Sequence, residues 1–158
     1  MAILLLHQTR CRLCGDVITE SVGTVAFPAF IWNEADPLWI FTDAVFHDAC
    51  FQMHPLATHA MNRYEELSER SGPGNRECVV CRTEVTDPDD YLFTGHFTDD
   101  PDRPLHAFNY LSLHRSCIPL WSEREELGRL IRELRDSGRW KGPWLDIVLE
   151  AIIKGVQP

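Results

Sequence analysis

Four cysteine and histidine positions recur along this chain at a constant distance, and that recurrence limits its folding more than any other feature. Shifted by 67 residues, the sequence lays Cys11, Cys14, His47 and Cys50 onto Cys78, Cys81, His114 and Cys117, so that all 6 cysteines are used. Each copy reads Cys-x-x-Cys, a 32-residue span, then His-x-x-Cys. The same offset matches Thr19 with Thr86, Phe30 with Phe97, Pro37-Leu38 with Pro104-Leu105, Phe41 with Phe108, and Glu66-Leu67 with Glu133-Leu134. Both copies then stop at Ser-Gly, Ser71-Gly72 and Ser137-Gly138. What was duplicated is therefore a folding unit and not a ligand motif alone.

The chemistry of the recurring residues points to zinc. A Cys-x-x-Cys turn sets two thiolates at the separation that a tetrahedral ion with zinc–sulfur bonds of about 2.3 Å requires, and His-x-x-Cys at a helix start adds two donors on one face. Three thiolates and one imidazole complete the coordination sphere, leave no position for water, and imply a structural role for two zinc ions. Soft thiolate donors favour zinc over calcium or magnesium. Disulfides would not explain a histidine three residues before the last cysteine in both copies. A redox pair would need only one Cys-x-x-Cys in a βαβ setting, and isolated core cysteines would not recur as a set. Pairing of ligands within each copy suits duplication of a self-sufficient unit, although the spacing alone also permits pairing between copies.

Between the ligand pairs the pattern is extended. Residues 24 to 32 and 38 to 47, and in the second copy 91 to 97 and 105 to 113, are rich in β-branched and aromatic residues, and turn formers at 33–37 and 99–104 separate them. A β-hairpin is expected in each copy. After each His-x-x-Cys comes helical periodicity. In the second copy Ser122 with Glu125 reads as a capping box before Leu127, Leu130, Ile131 and Leu134. In the first, Leu56, His59 or Ala60, Arg63, Tyr64 and Leu67 make a weaker stripe, with Pro55 at the position of Ser122. From Arg139 onward nothing is repeated. Pro143 suits the first turn of a helix to Lys154 that is apolar around most of its circumference and so expected to be mostly buried.

These features give an α+β expectation: a first zinc module with an N-terminal strand over residues 1–72, a second over 73–138, and a C-terminal capping helix over 139–158 that covers the seam between them. The order of knuckle, hairpin and ligand-bearing helix resembles the treble-clef zinc finger. Phe46-His47-Asp48-Ala49-Cys50-Phe51 and Leu113-His114-Arg115-Ser116-Cys117-Ile118, the latter followed by Trp121, are similar locally to the His-x-x-Cys stretch of LIM and RING domains. The 32-residue span is longer than LIM fingers use, and one module lacks the ligands of a cross-braced RING, so the resemblance does not imply a ubiquitin ligase.

The formal net charge of −9 opposes a non-specific nucleic-acid role, because the few basic clusters, around Arg129 to Lys141, are interleaved with Glu and Asp. The apolar run at residues 2–6 is shorter than a signal peptide, and no segment approaches the roughly 20 apolar residues of a membrane helix. A cytoplasmic location with reduced cysteines follows as the expectation. Among the other histidines, His106, Asn109 and His114 superficially follow the order of an HNH nuclease, but His114 is a zinc ligand in this reading and no acid directly precedes His106. Two acidic loops, at 87–90 and 99–102, suit calcium, phosphate mimicry or plain solvated turns. Trp140 and Trp144 suit the core or an anchor for a partner.

No catalytic constellation emerges, and the chain is expected not to be an enzyme. The functional expectation is a protein-interaction module with a basic protein partner, one version being a bacterial immunity or antitoxin-like protein that neutralises a basic effector. The alternatives are a metal-dependent nuclease or hydrolase using His96, His106 and nearby aspartates, and a zinc-finger nucleic-acid binder.

Overall fold

The computed structural model describes residues 4–154. These form two compact units, one of residues 4–31 with 36–66, the other of residues 32–35 with 67–154, each combining a two-stranded sheet with helices. The fold is α+β and the repeat is visible in it. No helix among the described residues is long and apolar enough to cross a membrane.

In the first unit, strands β1 (Thr24–Phe27) and β2 (Ala44–His47) pair antiparallel, with Thr24 opposite His47 and Phe27 opposite Ala44. Both are shorter than the extended stretches expected. Pro28 ends β1 because it has no N–H for the ladder. Pro37 starts a 3-10 helix over Pro37–Phe41 where strand was expected, and the Asp36 carboxylate accepts the Leu38 N–H at 2.7 Å as its cap. Asp43, at φ 47°, then turns the chain into β2. After β2 come a five-residue helix α1 (Asp48–Gln52) and, past Pro55, helix α2 (Ala57–Ser71). The core is aromatic: Phe27, Phe30, Phe41, Phe46 and Phe51 are buried and pack ring against ring, with Tyr64 of α2 set edge-on to Phe27 and Phe30 at 5.3 and 5.6 Å. Arg63 is buried beside them and meets Asp36 at 3.7 Å. At the N-terminal end the expected strand falls partly on residues 1–3, outside the described residues, while Leu6–Gln8 form a turn.

The second unit repeats this order. Strands β3 (Tyr91–Phe93) and β4 (Ser112–His114) pair antiparallel around a 3-10 helix at Pro104–Phe108, and Tyr110, at φ 59°, occupies the place of Asp43. The ligand-bearing segment Arg115–Leu120 is a 3-10 helix with Pro119 inside it, followed by α3 (Arg124–Asp136). Here the expected capping box does not form. The buried Trp121 closes a turn on Ile118, the helix starts at Arg124, and no side-chain cap bond is made. The stripe Leu127, Leu130, Ile131 and Leu134 is nonetheless buried.

Helix α4 (Trp144–Lys154) packs on α3 through Leu145, Val148, Leu149 and Ile152. It is not covered all round: Ile147 and Ile153 are 44% and 50% exposed. Three phenylalanines of the first core are replaced at equivalent positions, Phe27 by Thr94, Phe46 by Leu113 and Phe51 by Ile118. The apolar face of α4 and the buried Trp140 take part in the core instead. Trp32–Ala35, expected as the end of a strand and a turn, belongs to this unit. Trp32 stacks on Trp144 at 4.8 Å, Asn33 bonds the backbone of Arg139 and Lys141, and Glu34 N–H donates to Lys141 O. Gly95, at φ 75°, is required beneath this stack, since a Cβ there would fall 2.9 Å from the Trp32 ring.

Candidate metal centres

Each knuckle is a tight turn built from backbone bonds. Gly15 N–H donates to Cys11 O, and Cys11 N–H to Asp16 O, both at 2.9 Å; Arg82 with Cys78 and Cys78 with Thr83 repeat this at the same distances. The turn needs a positive φ, which Gly15 supplies at 79° and Arg82 adopts at 62°. Arg12 N–H to Val45 O, and Val79 N–H to Ser112 O, then fasten each knuckle to the second strand of its hairpin. That strand ends in the ligand histidine, and the helical segment after it carries the last cysteine. Knuckle, sheet and short helix therefore converge because local turn geometry and strand register leave them little choice.

The result is two sets of four donors, Cys11, Cys14, His47 and Cys50, and Cys78, Cys81, His114 and Cys117. Within each, the thiol sulfurs and one imidazole nitrogen lie within 4.8 Å of one another, and the burial runs alike: first cysteine buried, second exposed, histidine and last cysteine intermediate. Each set is drawn from one copy alone, with no ligand exchanged between them. All six cysteines are free thiols, so no disulfide competes. Cys14 Sγ and Cys81 Sγ each stand 3.4 Å from the Nδ1 of His47 and His114, and Cys50 Sγ stands 3.9 Å from His47 Nδ1. A tetrahedral ion with bonds of about 2.0–2.3 Å has edges of roughly 3.5–3.8 Å, so the donors fit a metal ion of zinc's size and softness. The His47 N–H points at Cys11 Sγ from 3.4 Å and the His114 N–H at Cys78 Sγ from 3.3 Å, each stabilising negative charge on sulfur.

The thiols ionise unequally. Burial works to raise Cys11, but backbone N–H groups of Cys14, His47 and Leu13 outweigh it and bring it to about 7. Cys81 falls to about 6, chiefly through the Thr83 hydroxyl 3.1 Å from its sulfur. Burial, with the neighbouring thiols at Cys14 and Cys11, pushes Cys50 up to about 11, and burial with Cys81 and Cys78 does the same to Cys117. Three thiolates at one point repel, and only a cation at their centre lets all ionise at neutral pH.

Two residues support the hairpins in a role the sequence did not suggest, Asn109 standing out there only for its place in an HNH-like order. Thr42 Oγ1 accepts the Phe30 N–H at 3.0 Å and faces Ile31 O, while Asn109 Oδ1 accepts the Phe97 N–H at 2.7 Å and its amide donates to Thr98 O. They hold the two sides of each hairpin at equivalent positions. Self-alignment by identity misses them because threonine and asparagine do one task with different side chains.

The remaining candidates are not drawn into a metal-capable group. Among the described residues only the two cysteine-rich sets bring three or more such side chains together. His96 pairs with Asp99 at 3.2 Å, and His106 is exposed on its 3-10 helix. The carboxylates of the acidic loops have protein partners: Asp90 takes the N–H and hydroxyl of Ser116, which hold its carboxyl below the usual range, and Asp100 takes Arg103. Trp140 packs on Phe97, and Trp144 donates its Nε1–H to Thr94 O. Comparison with known protein families, with curated proteins and with solved structures finds no match to this chain.

Proposed function

We propose that this protein is a scaffold of two treble-clef-like modules, each closed by a structural zinc ion, that works in the cytoplasm by binding another protein. The observation that supports the reading is the donor sets: in both copies four protein donors lie within 4.8 Å of one another, the number that fills the tetrahedral sphere of a structural zinc ion. Zinc in such a site ties knuckle, hairpin and helix together and supplies no chemistry of its own.

Two features support a protein as the partner. The net charge of −9 favours a basic surface. Met53 and Leu120 occupy equivalent positions just after the last ligand of each copy, and both hold their side chains in solvent, 86% and 80% exposed. A lone exposed apolar residue is ordinary, whereas recurrence at the same position in both copies suits a contact surface. Masking of a basic effector by an immunity or antitoxin-like protein is the specific form of this reading that size and acidity suit.

Elemental analysis of the purified chain is expected to give two zinc ions per molecule, and fewer overturns the scaffold. Capture from native lysate is expected to recover a basic protein that elutes with salt. If no stoichiometric protein is recovered, the partner-binding role fails while the metal reading stands.

A further inference from the structure

The start of α3 and the end of α4 enclose a groove of about 430 Å³, lined by Arg124, Glu125, Gly128, Arg132, Ile152 and Ile153. Arg124, Gly128 and Arg132 follow at intervals of four, so they lie along one stripe of α3. Glycine is the least favourable residue inside a helix apart from proline, and Gly128 is buried mid-helix. Packing does not demand it. A Cβ there would sit 3.8 Å from Leu149 Cδ1 and 3.9 Å from both terminal nitrogens of Arg132, ordinary contact distances, and its φ is not positive. What the missing side chain does is keep open the space beneath the Arg132 guanidinium.

The charges beside this space are also left open. Arg129 is held by Glu126 and Glu133, and Arg135 by Asp136 and Asp146. Arg124, in contrast, reaches only Glu125 at 3.9 Å, and Arg132 makes no hydrogen bond or ion pair among the described residues. The opposite wall is aliphatic, with Ile153 half exposed. The first copy has Ala57, Met61 and Glu65 at the three equivalent stripe positions, so the gap and its cations belong to the second copy alone.

We infer that this groove binds an aliphatic carboxylate. Its volume lies in the range of small-molecule sites. Guanidinium forks match a carboxylate bidentately, and the isoleucines suit a hydrocarbon tail. Two arginines and one glutamate on the lining leave a net single positive charge, which favours a monoanion over a phosphate dianion.

Calorimetric titration of the full chain with octanoate tests this, using acetate, octylammonium, octyl phosphate and a short acidic peptide as comparators. Octanoate is expected to saturate one site per chain, with each comparator at least about ten-fold weaker, since loss of a bidentate charged contact or of the apolar tail each removes about a factor of ten. Arg132→Glu is expected to weaken octanoate by a similar factor and Gly128→Leu to abolish binding. Gly128→Ala, which the helix favours, is expected to weaken binding while thermal stability stays equal or rises, so failure to fold cannot mimic the result. The inference is overturned by no saturable octanoate binding, by octylammonium binding equally well, by preference for the peptide or the phosphate, or by Gly128 variants that bind as the parent does.

Discussion

The hydroxyl of Thr83 stands 3.1 Å from Sγ of Cys81, whereas the first knuckle places Asp16 at the equivalent position. In other respects the two centres correspond closely, down to the paired sulfur to Nδ1 distances of 3.4 Å. A donor that favours the Cys81 thiolate helps metal compete with protons at the second centre, and a carboxylate offers no such donor. Thr83→Val is therefore expected to weaken zinc at the second centre several-fold without changing the first. Competition with a chromogenic chelator measures this as two release phases, of which only one should move.

Removing a ligand should cost a whole module. Structural zinc contributes on the order of 10–16 kcal/mol in small modules, comparable with the total stability of a domain of about 5–15 kcal/mol. Cys50→Ala and Cys117→Ala are each expected to lower metal content from two ions to one per chain. Each should also abolish ordered structure around the affected knuckle, read as lost amide-exchange protection at its residues. Retention of full protection with one ion missing would remove metal from the account of the fold.

Metal uptake should release protons. Cys50 and Cys117, both raised to about 11, are protonated at pH 7 until a cation displaces the proton. Zinc titration in weak buffer at that pH is expected to acidify the solution by at least one proton per ion bound. Because protons and metal compete for the same sulfurs, apparent affinity falls as pH falls and rises as it is raised toward 9. Metal-binding curves between pH 6 and 9 provide the check, and a pH-independent affinity contradicts it.

Buried charge in the first unit gives a stability prediction. Arg63 is 3% exposed and faces Asp36, whose carboxylate also caps the 3-10 helix through Leu38. Asp36→Ala removes a cap and one partner of a buried cation, and is expected to destabilise by about 3 kcal/mol in denaturant unfolding. Arg63→Leu installs the residue that the second copy carries at the equivalent position, Leu130, and should cost less, since the charge it leaves on Asp36 is 19% exposed and keeps the Leu38 N–H, whereas Asp36→Ala takes a partner from a cation only 3% exposed.

Much of the candidate site is legible in the sequence, because metal-ligand spacing is short-range chemistry. Two residues between Cys11 and Cys14, or between His47 and Cys50, define a turn or a helix face whatever surrounds them. The 67-residue offset then carried the same logic to the second copy. Periodicity likewise marked Leu127 to Leu134 as a buried stripe, and Pro143 the start of the last helix. The supporting shell was not legible. Thr42 and Asn109 differ in kind, and the backbone amides that reach Cys11 and Cys78 leave no mark in a sequence.

What the sequence alone determined was therefore the duplicated ligand set, the mixed α+β composition and the apolar faces that helices would seek to bury. Only the tertiary structure decided how long the strands are, where α3 begins, and that Trp32–Ala35 is packed with Arg139, Lys141 and Trp144 in the second unit. It also decided that Arg63 is buried and that Ile153 stays half exposed beside Gly128. Ligand spacing and helical period are satisfied within a few residues of chain. Burial and the end of a strand depend on which distant side chain fills the adjoining space, and no local pattern records that.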